Sequence, residues 1–118
     1  MLGSEILALL GGGLLLALGL LGLFRPQTAA KLVGISPIGA LGISEVRATY
    51  GGLFVGMGLA CLLTQAPAAF LAAACAALGA ALARTLSVLV DKSTAPKNLA
   101  AIIFELLLAG LLMTGTLQ

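Results

Sequence analysis

Four apolar stretches, each long enough to cross a bilayer, take up most of this 118-residue chain. A membrane-spanning helix needs about 20 consecutive apolar residues. The hydropathy pattern places such stretches over residues 6–24, 44–63, 68–90 and 99–117, and the second can begin as early as Pro37. Leu, Ala and Gly dominate all four, and none shows the period-2 alternation of a β-strand. The sequence therefore predicts an all-α fold in which residues 1–118 form a single integral membrane domain, a four-helix bundle.

The scarcity of charge excludes a water-facing domain and several kinds of binding site. Charged residues make up 8% of the chain, whereas a soluble domain has about 25%. The net charge of +2 is small and scattered, which predicts no nucleic-acid binding. Histidine, the usual ligand of haem and zinc, is absent. We expect no metal site, no catalytic group and no cofactor, although a bound lipid or pigment agrees with the composition. Cys61 and Cys75 lie in apolar runs without CxxC spacing and are expected to be buried, reduced thiols.

The connections between the spans differ in length and charge. The first, residues 25–43, is the longest; Pro26 can open a short interfacial helix there and Gly34 can close it. Residues 64–67 form an uncharged turn, and residues 91–98 form a polar loop. The basic residues of the first and third connections are Arg25, Lys31, Lys92 and Lys97. The positive-inside rule places these two connections in the cytoplasm and both termini on the non-cytoplasmic side of a bacterial-type inner membrane, or of an equivalent organellar membrane.

Small residues recur in several spans at the spacing of a helix face. Lipid is as apolar as leucine, so helices in a membrane associate through close packing at small residues. The second span carries Gly52-x-x-x-Gly56 with Gly51 beside it, and the third carries Ala76 and Ala80 in a row of alanines. We interpret these five residues as helix-packing positions. The faces can meet within one chain or between chains, and the pattern leaves both arrangements open.

Charged residues also lie at membrane depth, on the predicted cytoplasmic side. Arg84 lies about six residues before the end of the third span and Glu105 about six after the start of the fourth, each roughly 9 Å from the edge. Since an ionised group in lipid is costly unless it is paired or hydrated, we predict that Arg84 and Glu105 pair. The charged layer comprises Glu45, Arg47, Tyr50, Arg84 and Glu105. We favour a network that fixes helix register; the functional alternatives are a site for an anionic head group and a proton-coupled carrier.

One stretch of the second span resembles the signature of a known family. Residues 45–52 (EVRATYGG), followed by Gly56-Met57-Gly58, are similar to a family of small bacterial membrane proteins catalogued as a domain of unknown function, itself similar to the DoxX-like group. The resemblance extends to Arg84, Glu105 and residues 24–26 (FRP), and covers most of the chain. It implies a four-helix bundle in a bacterial-type inner membrane and no established activity, although DoxX-like relatives are linked to redox complexes.

Three functions agree with these features. The first is a small non-enzymatic membrane protein, either an accessory or structural subunit of a larger assembly or a homo-oligomer, whose partners are the bilayer and other membrane subunits or itself. The second is a small carrier or channel that uses the Arg/Glu layer. The third is a membrane enzyme of quinone or lipid chemistry with Glu45, Arg47 and Tyr50 in its site. Short length favours the first, and the absence of histidine counts against the third.

The predicted orientation can be tested with introduced cysteines, using the wild-type chain as the control for its own thiols. Thr94→Cys lies in the predicted cytoplasmic connection, so this thiol should be shielded from an impermeant thiol reagent in intact cells. Gln65→Cys lies in the turn on the opposite side and should react. Reaction at residue 94 together with protection at residue 65 would reverse the orientation.

Overall fold

The computed structural model describes residues 2–118, and every regular element in that range is helical. The elements are α1 (Leu2–Phe24), α2 (Pro26–Leu32), α3 (Gly39–Val46), a π-helical segment (Arg47–Gly52), α4 (Leu53–Thr64), α5 (Pro67–Asp91), α6 (Pro96–Met113) and a 3₁₀ turn (Thr114–Leu117). Four helical spans are long and apolar enough to cross a membrane: Leu2–Phe24, Gly39–Thr64, Pro67–Asp91 and Pro96–Leu117. The predicted all-α fold with four spanning helices is confirmed, and these helices make the chain an integral membrane protein.

All four spans start earlier than residues 6, 44, 68 and 99 of the hydropathy pattern, and the third and fourth do so because each is opened by a proline. Pro67 is the first residue of α5 and Pro96 is the first residue of α6. The first amides of a helix have no internal partner, so the missing proline N–H costs nothing there. The second span also starts early, at Gly39, since α3, the π-helical segment and α4 follow one another without a break.

The short helix predicted between the first two spans is α2, which packs on the rest of the fold. Pro26 is its first residue. Ala29 and Ala30 are buried against Val46 of α3, so the alanine side of α2 faces inward. Gly34 then turns the chain with a φ of +77°, a conformation that glycine adopts without a steric penalty.

The spanning helices form two closely packed pairs, α1 with α4 and α5 with α6. In the first pair the two backbones touch. A Cβ atom added to Gly22 would lie 2.1 Å from the carbonyl oxygen of Tyr50, and one added to Gly58 would lie 2.7 Å from the amide nitrogen of Leu16. Only glycine fits at such approaches, which is how helices associate in lipid without a hydrophobic driving force.

The glycines of the second span that pack against α1 are offset from the Gly52-x-x-x-Gly56 row predicted from the sequence. Gly51 is buried against Leu23 of α1, and Gly58 continues this contact two turns later. Gly52 and Gly56 are exposed: a Cβ atom added to Gly56 would meet nothing within 4 Å, and one added to Gly52 would meet only the Arg47 carbonyl oxygen at 3.9 Å. Packing of these two glycines against another chain stays a prediction.

The end of the bundle that holds the chain termini is closed by a dense core. Phe70, Leu112 and Cys61 are its largest fully buried side chains. Gly115 leaves room for the ring of Phe70, since an added Cβ atom would lie 2.2 Å from that ring. The hydroxyl of Thr114 donates a hydrogen bond to the Ser4 carbonyl oxygen at 3.1 Å and joins the C-terminal turn to α1.

The two cysteines lie in different environments. Both are free thiols, as predicted, and Cys61 is buried in the terminal core. The predicted burial of Cys75 is wrong, because its side chain is exposed. The buried face of α5 consists instead of Phe70, Ala73, Ala74, Ala77 and Ala81.

The register of the glycine face predicts opposite effects for two alanine substitutions in α4. Gly58→Ala places a methyl group against the backbone of α1 and should lower the free energy of unfolding by about 1–3 kcal/mol, the usual effect of overpacking. Gly56→Ala is the matched control; it meets open space and should be neutral or stabilising by up to ~1 kcal/mol, since alanine favours a helix. Circular dichroism during heating in mild detergent measures both. Equal unfolding midpoints would contradict this register.

Candidate functional site

Arg84 of α5 and Glu105 of α6 meet across the second helix pair. The Nε atom of Arg84 donates to Oε1 of Glu105 at 2.9 Å. The two residues lie at matching depth because α5 and α6 are antiparallel and joined by a short connection. Their side chains keep 24% and 15% of their surface exposed, respectively. The prediction that this ion pair is buried is therefore corrected: both side chains are partly exposed and border open space.

A hydrogen-bond chain continues from this pair to the third connection. Nη1 of Arg84 donates to Oδ1 of Asn98 at 3.2 Å, and Nδ2 of Asn98 donates to the Ser93 carbonyl oxygen at 2.9 Å. One guanidinium thus joins α5 to both the first and the third turn of α6. Since a guanidinium has five N–H donors, several remain for another partner.

The other two charges of the predicted layer do not join this network. Arg47 donates from Nη1 to the Leu23 carbonyl oxygen in the last turn of α1, where carbonyls lack partners within the helix. Glu45 is exposed, and within residues 2–118 its carboxylate has no ion-pair partner. The structure brings Arg84 and Glu105 together and leaves Glu45 and Arg47 at a separate place.

Tyr50 lies in the π-helical segment and faces the space beside the Arg84–Glu105 pair. Its ring centroid is 6.1 Å from that of Phe54, with the two planes tilted by 57°. π-helical turns widen a helix locally and occur often at functional sites. Here the segment holds Gly51 against α1, while Tyr50 packs against the cluster of Ala29, Ala30 and Val46 and lines the same space as Arg84 and Glu105.

Between the two helix pairs lies a cavity of about 660 Å³. It exists because α4 and α5, although consecutive, contact each other much less than the members of each pair do. The side chains that line the cavity on α5 and α6 are small. They are Ala76 and Ala80 on α5 and Ala100 and Ala101 on α6. The volume falls within the range of about 300–1,000 Å³ that is typical of small-molecule sites.

The cavity is polar at one end and apolar at the other. Its polar lining consists of Thr49, Tyr50, Arg84, Lys97 and Glu105. All five lie toward the end of the bundle that carries the first and third connections. Toward the middle of the spans the lining becomes wholly apolar, with Leu15, Met57 and Leu108. Leu15 and Leu108 belong to the same buried cluster as Phe70, Leu112 and Cys61, so the apolar end of the cavity adjoins the terminal core.

Helix α2 lies over the polar end of the cavity, whereas one side of the cavity is open. Ala29 and Leu32 of α2 line the cavity there, and Nζ of Lys97 donates to the Lys31 carbonyl oxygen of α2 at 2.6 Å. At the side, the lining residues Leu53 and Phe104 remain 56% and 37% exposed. The cavity is therefore open to the surface between the two helix pairs, where these two side chains lie.

A match to a protein family covers nearly the whole chain. The model of the family described as Domain of unknown function (DUF4345) matches residues 4–116. The chain belongs to the DUF4345 family. All the charged and cavity-lining residues named above fall within the matched segment. No curated protein and no solved structure matches the chain, so the geometry of this DUF4345 cavity carries the functional argument.

Two polar residues of the DUF4345 site were missed because they were assigned to a loop. Lys97 and Asn98 lie in the first turn of α6, which starts at Pro96. Asn98 and Glu105 are seven residues apart, so two helical turns bring both to one face. If the fourth helix is predicted to begin at Pro96, the sequence alone places Asn98 and Glu105 on one helix face.

A double-mutant cycle measures the coupling across the second helix pair. Arg84→Ala and Glu105→Ala each leave one charge unpaired in a poor solvent, and each should lower the free energy of unfolding by about 1–3 kcal/mol. The double variant should lose less than the sum of the two, because neither charge is then left alone. Lys31→Ala is the control, because it removes an exposed charge but keeps the hydrogen bond that the backbone carbonyl oxygen of residue 31 accepts. Additive losses in thermal unfolding would mean that the pair contributes no coupling.

Proposed function

We propose that this chain is a small non-enzymatic membrane protein whose cavity holds one amphiphilic, lipid-like molecule. The single observation that carries the proposal is the gradient of the lining, which changes along the membrane normal from charged and hydroxyl groups to purely apolar side chains. A molecule with a polar head and an apolar tail matches this gradient in one orientation. Such a ligand would sit in the leaflet next to the basic connections.

The polar end supports a head group that accepts hydrogen bonds and carries negative charge. Arg84 and Lys97 contribute two positive charges and Glu105 one negative charge, which leaves the lining with one net positive charge. Arg84 uses Nε and one Nη1 hydrogen on its protein partners and retains further N–H groups. In the part of the chain that the structure describes, the Tyr50 hydroxyl has no hydrogen-bond partner, so it is free to bind the same head.

The closed terminal core supports binding over conduction. An open channel needs a route past Phe70, Leu112 and Cys61, all of which are fully buried. The cavity instead opens to the side, toward lipid, which suits a protein that holds a membrane-dissolved molecule. This favours the binding protein over the channel alternative.

The outer surface supports an accessory or self-associating role for the same protein. Gly52 and Gly56 are exposed on the second span, and among residues 2–118 no other helix packs closely against them. Exposed small residues on a spanning helix offer a face for close packing with another helix. We therefore propose a lipid-binding subunit, oriented with its termini on the non-cytoplasmic side of an inner or equivalent membrane, as the basic connections indicate.

Filling the cavity provides a test with a matched control on the same helix. Ala80→Leu adds three carbons to the cavity wall, whereas Ala83→Leu adds them to the exposed face of α5 at similar depth. In vesicles containing a diazirine-bearing fatty acid, photolabelling of peptides around Met57 should fall clearly in Ala80→Leu, because the tail is displaced. It should stay at the wild-type level in Ala83→Leu.

Thermal unfolding of both variants establishes that each is folded before labelling is compared. Equal labelling in the two variants would contradict a bound tail in the cavity. Labelling restricted to outward-facing residues such as Leu82 and Leu89 would assign the fatty acid to surrounding lipid alone.

A further inference from the structure

A second recess with two arginines lies outside the cavity, at the junction of α1, α2 and the π-helical segment. Its volume is about 360 Å³, and its lining includes Arg25, Arg47, Thr28, Phe24 and Ile43. None of these residues lines the larger cavity. We propose that this recess binds the phosphate of an anionic phospholipid head group. The proposal is independent of the ligand in the larger cavity.

The charge of the recess selects an anion. Arg25 and Arg47 contribute two positive charges, and no acidic residue is part of the lining. The planar guanidinium presents paired N–H donors that match two phosphate oxygens, and two such groups can hold one phosphate from different sides. The Thr28 hydroxyl lies in the same lining and supplies one more donor.

Arg47 is held in place before any ligand arrives. Its Nη1 donates to the Leu23 carbonyl oxygen, which fixes the guanidinium at the end of α1. A side chain that is already ordered loses less conformational entropy on binding, so the remaining N–H groups gain affinity for an anion. This contact also accounts for the separation of Arg47 from the Arg84–Glu105 pair.

The apolar wall of the recess distinguishes a lipid phosphate from a free one. Phe24, the last residue of α1, is 69% exposed, and Ile43 lies on the wall contributed by α3. The recess lies where the first span ends, which is the level of head groups in a bilayer. A phosphodiester between the arginines would place its glycerol and first methylenes against Phe24 and Ile43, and a free phosphate would leave this wall unused.

Native mass spectrometry of the full-length chain in neutral detergent tests the site. The protein is titrated with phosphatidylglycerol and, separately, with phosphatidylcholine of the same acyl chains. Arg25→Gln should weaken phosphatidylglycerol binding by about tenfold or more, the effect of losing one charge-assisted hydrogen bond. Phosphatidylcholine carries the same phosphodiester, but its choline cation is repelled by the two arginines, so it should bind the wild-type chain more weakly and lose less affinity in Arg25→Gln. Lys92→Gln, a basic residue on the same side of the membrane but outside the recess, is the matched control.

Two further arms separate the sources of phosphate and keep the test independent of folding. Arg47→Lys retains the positive charge but loses the paired N–H donors of the guanidinium, so it should also weaken phosphatidylglycerol binding. Thermal unfolding shows whether this variant keeps the stability that the contact with α1 provides. The result for Arg25→Gln does not depend on this variant. Glycerol 1-phosphate in excess should fail to displace the lipid. Displacement at the concentration at which the lipid binds, or an equal loss in Lys92→Gln, would overturn a phospholipid site.

Discussion

Direct contact between the backbones of α1 and α4 is the constraint on which the rest of this bundle depends. In lipid, leucine burial gives helices no reason to associate, so the pair is held by glycines that allow an approach no larger side chain permits. α5 and α6 form the second pair through alanines and through the contact of Arg84 with Glu105. Each pair is complete in itself, and the two meet fully only in the terminal core.

The cavity follows from this construction. Two rigid pairs that join firmly at one end leave unfilled space at the other, and small side chains on α5 and α6 make that space larger. This space also gives a physical reason for the position of the charged side chains of Arg84 and Glu105. A half-buried guanidinium and carboxylate beside an open volume remain partly solvated by whatever fills it, so they avoid the full penalty of burial in hydrocarbon. The Arg84–Glu105 pair is thus both a link between α5 and α6 and part of the wall of the site.

Sequence reasoning predicted those features that depend on composition and on depth along a helix. The four spans follow from hydropathy, the short helix follows from Pro26, and the meeting of Arg84 with Glu105 follows from equal distances to one membrane edge. Rotation about the helix axes was harder to predict. Gly51 and Gly58, not Gly52 and Gly56, face α1, and the π-helical segment that changes the register between α3 and α4 has no local sequence rule. The cavity depends on the angle between two helix pairs, which only the assembled packing determines.

The sideways opening of the cavity changes what affinity means for this protein. A molecule that arrives through the gap between the helix pairs comes from the surrounding leaflet and never passes through water. Its supply is then set by its mole fraction among the neighbouring lipids and by diffusion in two dimensions. Because an abundant membrane component is already concentrated in that layer, modest contacts at Arg84 and Tyr50 would suffice to keep the site filled. Selectivity would then arise from the head group, since every lipid of the leaflet offers a tail.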